Sequence, residues 1–158
     1  NSVKRGFFTR MKKGLYVLAS DPPEEREIAN ALYKPSYISF EYALSWYGII
    51  PEAPYSITSA TTKATRTFDV QGKNFQYYTI KKEAFTGYQL VQEGRMYVFM
   101  ADPEKALVDY LYFVALGKKQ MNDRLRIDIL HYKKVLQYAR FYERKPLENI
   151  IKKIFKKI

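Results

Sequence analysis

Asp102, Glu104 and Lys105 stand within four residues of one another in "DPEK". Two carboxylates beside a lysine are the residue types with which a nuclease holds a divalent ion and activates water. A second account competes for the same residues. Asp102 can cap a helix, Pro103 suits its first position, and Glu104 complements the dipole in the first turn. These acids sit at one helix end, with no strand pattern to carry a metal, and we expect them to serve the helix. His131 is the only histidine, which rules out a two-histidine metal site, and its helical neighbours mark it as a partly packed surface residue. No Gly-rich phosphate loop, GxSxG elbow or HExxH is present. With no cysteine in the chain, thiolate zinc sites and Cys nucleophiles are excluded. The expectation is a protein that is not an enzyme and that carries no metal or cofactor.

A different chemistry is offered by "TSATTKATR", residues 58–66. Hydroxyls interleaved with Lys63 and Arg66 suit contact with a phosphate backbone, and threonine is equally a good strand former. As one extended segment over 57–68, Ala60, Ala64 and Phe68 share a face with Thr58, Thr62 and Arg66. Ser59, Thr61, Lys63, Thr65 and Thr67 then form an opposite, wholly polar face. The pattern predicts strand at the two ends of this stretch and a polyanion-facing surface at Lys63 and Arg66.

The net charge of +11 is unevenly placed. Residues 1–16 carry Lys4, Arg5, Arg10, Lys12 and Lys13 without an acid, and residues 140–158 carry seven bases against Glu143 and Glu148. Between them, fifteen bases face fourteen acids. The excess at the two ends points to a polyanionic partner there.

The elements that must position these residues follow from period and punctuation. "FFTRMKKGLYVL" (7–18) reads as a tight hairpin turning at Gly14. A helix is predicted in "DPPEEREIANALY", capped by Asp21 with Pro22 in its first turn, and Pro35 prevents its continuation. "SFEYALSWYG" reads as a second helix with Ser39 as N-cap and Gly48 as stop. From Tyr55 to Met100 the period becomes two. "TRTFDV" and "FQYYTI" flank "QGKN", and "GYQLV" and "MYVFMA" flank "QEG", giving two hairpins. "DPEKALVDYLYFVALG" restores a helix ended by Gly117. Leu107, Tyr110, Leu111 and Val114 form its apolar stripe, and Lys105 and Asp109 lie opposite, four apart. "HYKKVLQYARFYE" is a further helix. The last opens at Pro146, with Leu147, Ile150, Ile151, Ile154, Phe155 and Ile158 on one face and Lys152, Lys153, Lys156 and Lys157 on the other. The fold class is therefore α/β of the α+β type, an antiparallel sheet of about four strands packed by helices.

At 158 residues, 47% hydrophobic, with 15 Tyr and 10 Phe, the chain can bury a sound core, which excludes disorder. Its apolar runs, such as "LYFVAL" at 111–116, fall well short of the ~18 residues of a membrane span. No signal segment opens it, so a cytoplasmic protein without a membrane partner is expected.

Four segments taken together, "GLYVL", "YISFEYALSWYGIIPE", "ITSATTKATRTFDVQGKNFQYYTIKKEAFTGY" and "ADPEKALVDYLYF", resemble in order and spacing the AbiEi antitoxins of type IV toxin–antitoxin systems. The resemblance runs from about residue 6 to 113; "LQYARFY" fits more loosely. It implies a two-domain phage-defence (abortive infection) protein of bacteria or archaea: an N-terminal winged helix-turn-helix that binds and represses the operon's promoter DNA, and a C-terminal antitoxin domain. It implies as functional partner an AbiEii-like nucleotidyltransferase toxin, countered without a stable complex. Residues 1–19 would then be the wing hairpin left of the winged helix, and 20–158 the antitoxin domain. The helices that should precede the wing are absent from this sequence. Arg10, Lys12 and Lys13, with Lys4 and Arg5 beside them, would contact DNA phosphates or the minor groove. Two readings from other classes stay open: a nucleic-acid-binding module using exposed tyrosines as stacking platforms, and a metal-dependent, nuclease-like enzyme.

Overall fold

A computed structural model describes residues 8–12, 15–18 and 24–156. β1 (Phe8–Lys12) and β2 (Leu15–Leu18) pair antiparallel as a two-stranded sheet of their own. That matches the predicted hairpin. Lys4, Arg5, Lys13, Gly14, Asp21 and Pro22 lie outside the described residues; Arg10 and Lys12 fall on the backbone of β1.

The first helix, α1 (Glu25–Leu32), is capped by Glu24, which accepts from the Arg26 amide at 2.9 Å while Glu27 reaches back to the Glu24 amide at 3.2 Å. This reciprocal box satisfies two donors that a helix start leaves open. After the cis Lys34–Pro35 peptide comes β3 (Ser36–Ile38), a strand that the sequence reading missed. It has three residues, all buried, and no alternation to betray it. The second helix, α2 (Phe40–Trp46), follows directly.

The strands β4 (Ile57–Thr61), β5 (Arg66–Val70), β6 (Lys73–Thr79), β7 (Tyr88–Glu93) and β8 (Met96–Ala101) complete a second sheet. Both predicted hairpins are present, β5–β6 and β7–β8. The first turns on Gln71 (φ 52°) and Gly72 (φ 77°), two positive values that suit a two-residue turn matched to strand twist. The sheet itself differs from expectation. It has six strands in the order β5-β6-β4-β3-β8-β7 and is mixed, not a four-stranded antiparallel sheet. A central antiparallel pair, β3–β4, is flanked on each side by a hairpin whose second strand runs parallel to its neighbour, β6 to β4 and β8 to β3. Hairpin patterns fix antiparallel partners within a few residues, whereas the parallel pairings join strands distant in sequence.

Register assigns the faces. Tyr37 opposes Ala60, which lies beside Tyr78; this face receives α2 and α3 (Pro103–Ala115), with Tyr78, Phe40 and Phe113 meeting edge to face or tilted at 5.2–5.5 Å. Ile38, Ser59 and Tyr77 share the other face. There the Tyr77 hydroxyl donates to the Ala29 carbonyl of α1 at 2.6 Å.

Helix α3 starts at Pro103 and stops before Gly117, as its punctuation predicts. From Glu104 to Leu111 every residue is buried, so the helix has no solvent face there. It is enclosed by the sheet, α2, α4 (Tyr132–Ala139) and α5 (Lys145–Phe155). The predicted helix over 131–143 is shorter, ending in a 3₁₀ turn at Arg140–Tyr142. In α5, Leu147 and Ile151 are buried while Lys152, Lys153 and Lys156 are exposed, as the stripe predicts. Among the described residues no helix is long and apolar enough to cross a membrane.

Candidate functional site

The largest departure from the sequence reading is at Lys105 and Asp109. Both side chains are 0% exposed and in contact at 2.5 Å (Nζ to Oδ1). Four donors converge on one carboxylate. Oδ1 accepts from Lys105 and from the Tyr142 hydroxyl at 2.6 Å, and Oδ2 accepts from Tyr37 at 2.8 Å and Ser39 at 2.7 Å. Lys105 also donates to the Tyr37 oxygen at 2.8 Å, and its ammonium lies 5.4 Å from the ring centroids of both Tyr37 and Tyr142. Every lone pair direction of the carboxylate is used, which is the condition for keeping an ion pair inside a core.

The members come from four parts of the fold, with Lys105 and Asp109 both on α3. Helical spacing sets Lys105 and Asp109 four apart, so they meet once enclosed. Tyr37 is in β3, where it stacks on Tyr88 at 4.5 Å; Tyr142 is in the 3₁₀ turn after α4 and stacks on Tyr112 at 4.0 Å. Ser39 occupies the predicted N-cap position of α2, but its hydroxyl serves Asp109 and makes no cap hydrogen bond. Burial pushes the Lys105 pKa down, with Asp109 opposing that shift. Burial, then the charge of Asp109, raises Tyr37 and Tyr142 well above the usual tyrosine range. The Tyr37 and Tyr142 hydroxyls are thus held as donors to the carboxylate.

Room for this cluster is made at Gly87. Its φ is +76°, and a Cβ there would stand 2.9 Å from both Lys105 Cγ and Tyr138 Cε1. Gly87→Ala is expected to destabilise the fold by about 2–4 kcal/mol, through the left-handed backbone and overpacking against a buried lysine. Urea unfolding would show this as a lower midpoint, and an unchanged midpoint would refute it.

The acids of "DPEK" have other partners. Asp102 is the N-cap residue of α3 without capping through its side chain. Its Oδ2 accepts from the Tyr138 hydroxyl at 2.5 Å and lies 3.3 Å from Lys134 Nζ. Glu104 accepts from the His131 amide at 3.1 Å and lies 3.7 Å from the same ammonium. Both carboxylates dock α4 on the start of α3. His131 is the exposed N-cap residue of α4 and enters this arrangement through its backbone. Among the described residues no group of three or more His, Cys, Asp or Glu is placed to hold a metal ion.

"TSATTKATR" divides into three parts. Residues 57–61 form β4, a central strand buried on both faces; 62–65 bend; 66–70 form the edge strand β5. The expected continuous polar face is therefore broken. Ser59 and Thr61 are buried, whereas Lys63, Thr65 and Thr67 are exposed, because the chain turns instead of extending. The hydroxyls hold that bend. Thr61 Oγ1 donates to the Pro35 carbonyl at 2.7 Å and accepts from the Lys63 amide at 3.1 Å. Thr79 donates to the Lys63 carbonyl at 2.6 Å, and Tyr33 to the Ala64 carbonyl at 2.9 Å.

The bend brings the two predicted cations together. Lys63 Nζ and the Arg66 guanidinium lie 5.3 and 5.7 Å from the Tyr33 ring centroid, and Arg66 also covers Phe68 at 4.4 Å. Aromatic support of this kind holds exposed charges in place at a gain of roughly 0.5–1 kcal/mol each. Tyr33, Tyr37 and Tyr142 are the residues that sequence reasoning missed. An aromatic count alone did not say which tyrosines would stand at charged groups. The chain matches no protein-family model and no curated protein.

Proposed function

We propose that this chain is an antitoxin and autoregulatory repressor of the AbiEi type, acting in the cytoplasm without catalytic activity of its own. Residues 1–19 serve as the wing of a DNA-binding unit and 20–158 as the antitoxin domain. The partner is a nucleotidyltransferase toxin that it counters without a stable complex, and the operator is the promoter DNA of the same operon. The observation that carries this reading is the ordered resemblance of four segments between residues 6 and 113. Two features of the geometry support it. The acids of "DPEK" are engaged in packing α4 and so favour a non-catalytic role over that of a metal-dependent nuclease. The bend at 62–65 presents Lys63 and Arg66 as a supported cationic pair, the feature that a polyanion contact requires. The same pair favours a second reading, a nucleic-acid-binding module without toxin linkage.

The test is co-expression with the toxin from the neighbouring reading frame, scored by growth. The chain is expected to restore growth. Lys63→Glu with Arg66→Glu is expected to abolish rescue while changing stability by no more than about 1–2 kcal/mol, since both side chains are exposed. Failure of the unaltered chain to rescue would remove the antitoxin reading. Full rescue by the double variant would leave the bend as a structural feature only.

A further inference from the structure

The outer hairpin carries an apolar surface beside α1 that, among the described residues, stays largely exposed. Leu90 opposes Phe99 across β7–β8, and Tyr97 lies two residues along the same face. Their exposures are 54%, 45% and 51%. With Tyr88 they line a groove of about 440 Å³ whose rim includes Glu27 and Lys34. Contiguous exposed side chains of this size mark an interaction surface.

The strand beside this groove is also the free edge of the six-stranded sheet. Edge strands are ordinarily protected by lysine, proline or a bulge. β7, "YQLVQE", has no basic residue and no proline, its one charge is Glu93 at the end, and its register with β8 runs without a shift. The opposite edge, β5, carries Arg66 and Asp69. An unprotected edge of unpaired backbone donors and acceptors selects an extended strand as its partner.

We propose that this partner is β7 of a second copy of the chain, paired antiparallel about a twofold axis at Leu90 to join two sheets into one. Two arguments select a second copy. First, pairing about Leu90 sets Leu90 against its own equivalent, with Phe99 and Tyr97 extending the apolar stripe on both sides. Second, charge permits approach. A chain of net charge +11 repels its own kind, but here the rim balances Glu27 against Lys34 and the turn balances Glu93 against Arg95. A neutral face is also one that a nucleic acid does not select. The contact is small, because edge pairing covers Leu90 and the β7 backbone while Phe99 and Tyr97 stand one strand further in on β8; the dimer is therefore a weak one. This inference is independent of the antitoxin reading.

Sedimentation velocity over about 1–500 μM should show the average mass rising from one chain towards two, with Kd on the order of 10 μM. Leu90→Lys places two like charges at the axis and should raise Kd by about tenfold or more. Circular dichroism should stay native, because Leu90 is exposed. Amide exchange over residues 88–93 should slow as concentration rises in the unaltered chain and not in the variant. Three results would overturn the proposal: a monomer throughout the range, a dimer indifferent to Leu90→Lys, or a monomer whose β7 edge is instead protected by an added extended peptide.

Discussion

Asp109→Ala is expected to lower the melting temperature by about 10–15 °C. The substitution removes the acceptor of four hydrogen bonds and leaves the Lys105 ammonium buried without a counter-ion. Breaking a buried pair from one side costs about 3–5 kcal/mol, because the surviving charge keeps its desolvation penalty and loses its compensation. The stranded hydroxyls of Tyr37, Ser39 and Tyr142 add to the loss. Lys105→Met combined with Asp109→Asn removes both charges and keeps an acceptor for the hydroxyls. That pair is expected to recover much of the stability lost in the single variant. Thermal unfolding of the three proteins decides the matter. An Asp109→Ala variant within about 1 kcal/mol of the parent would show that the network does not hold the core together.

Above pH 10 the fold is expected to lose stability steeply and to unfold before pH 12. Among the described residues, seven tyrosines have pKa values raised by burial: Tyr37, Tyr42, Tyr47, Tyr77, Tyr110, Tyr138 and Tyr142, with Tyr42 and Tyr47 at about 12. The sign follows from proton counting. Below the unfolded value near 10 these phenols are neutral in both states, and their contribution is complete. As pH rises beyond it the unfolded chain releases protons that the folded chain retains, so unfolding is favoured. Each deeply buried phenol, such as Tyr37 or Tyr142, contributes about 1.4 kcal/mol per pH unit across this window. The part-exposed ones contribute less, because water screens them. Lys105 acts in the opposite sense. Its lowered pKa means that the unfolded chain binds the extra proton, so this one group adds stability as pH rises towards 10.5. One lysine does not offset seven tyrosines. Tyrosinate absorbance at 295 nm and far-ultraviolet dichroism should therefore change together in one cooperative step. Titration of all fifteen tyrosines near pH 10 with native dichroism retained would refute this expectation.

Much of the fold was legible in the sequence wherever its cause is local. Gly72 and Gly94 mark hairpin turns because only a few backbone conformations join two strands in two residues. Asp102-Pro103 and Gly117 bound α3 because a helix start tolerates proline and a helix end favours a left-handed glycine. The stripe of Leu147, Ile150 and Ile151 against Lys152, Lys153 and Lys156 assigned the faces of α5. Even "TSATTKATR" yielded its ends as strand, whereas its two cations, on opposite faces of an extended segment, are brought together only by the bend. The unaided sequence failed where the deciding partner is remote. β3 is three residues long, and it is a strand because β4 and β8 pair with it. The hydroxyls of the threonine run hold a bend because Pro35, Tyr33 and Thr79 stand beside it.

The same division separates the two kinds of site residue. Exposure of Lys63 and Arg66 was a reasonable default for cations in a polar run, and the tertiary structure added the Tyr33 ring that supports them. For Lys105 and Asp109 the default was wrong. Charges four apart on the polar side of a helix ordinarily face water, since burying either one alone costs several kcal/mol. The sequence determined that these two side chains would meet, through helical spacing. Only the tertiary structure decided that they would meet in the core, by bringing Tyr37 and Ser39 from about 70 positions upstream and Tyr142 from 33 positions downstream to complete the hydrogen bonds that make such burial tolerable.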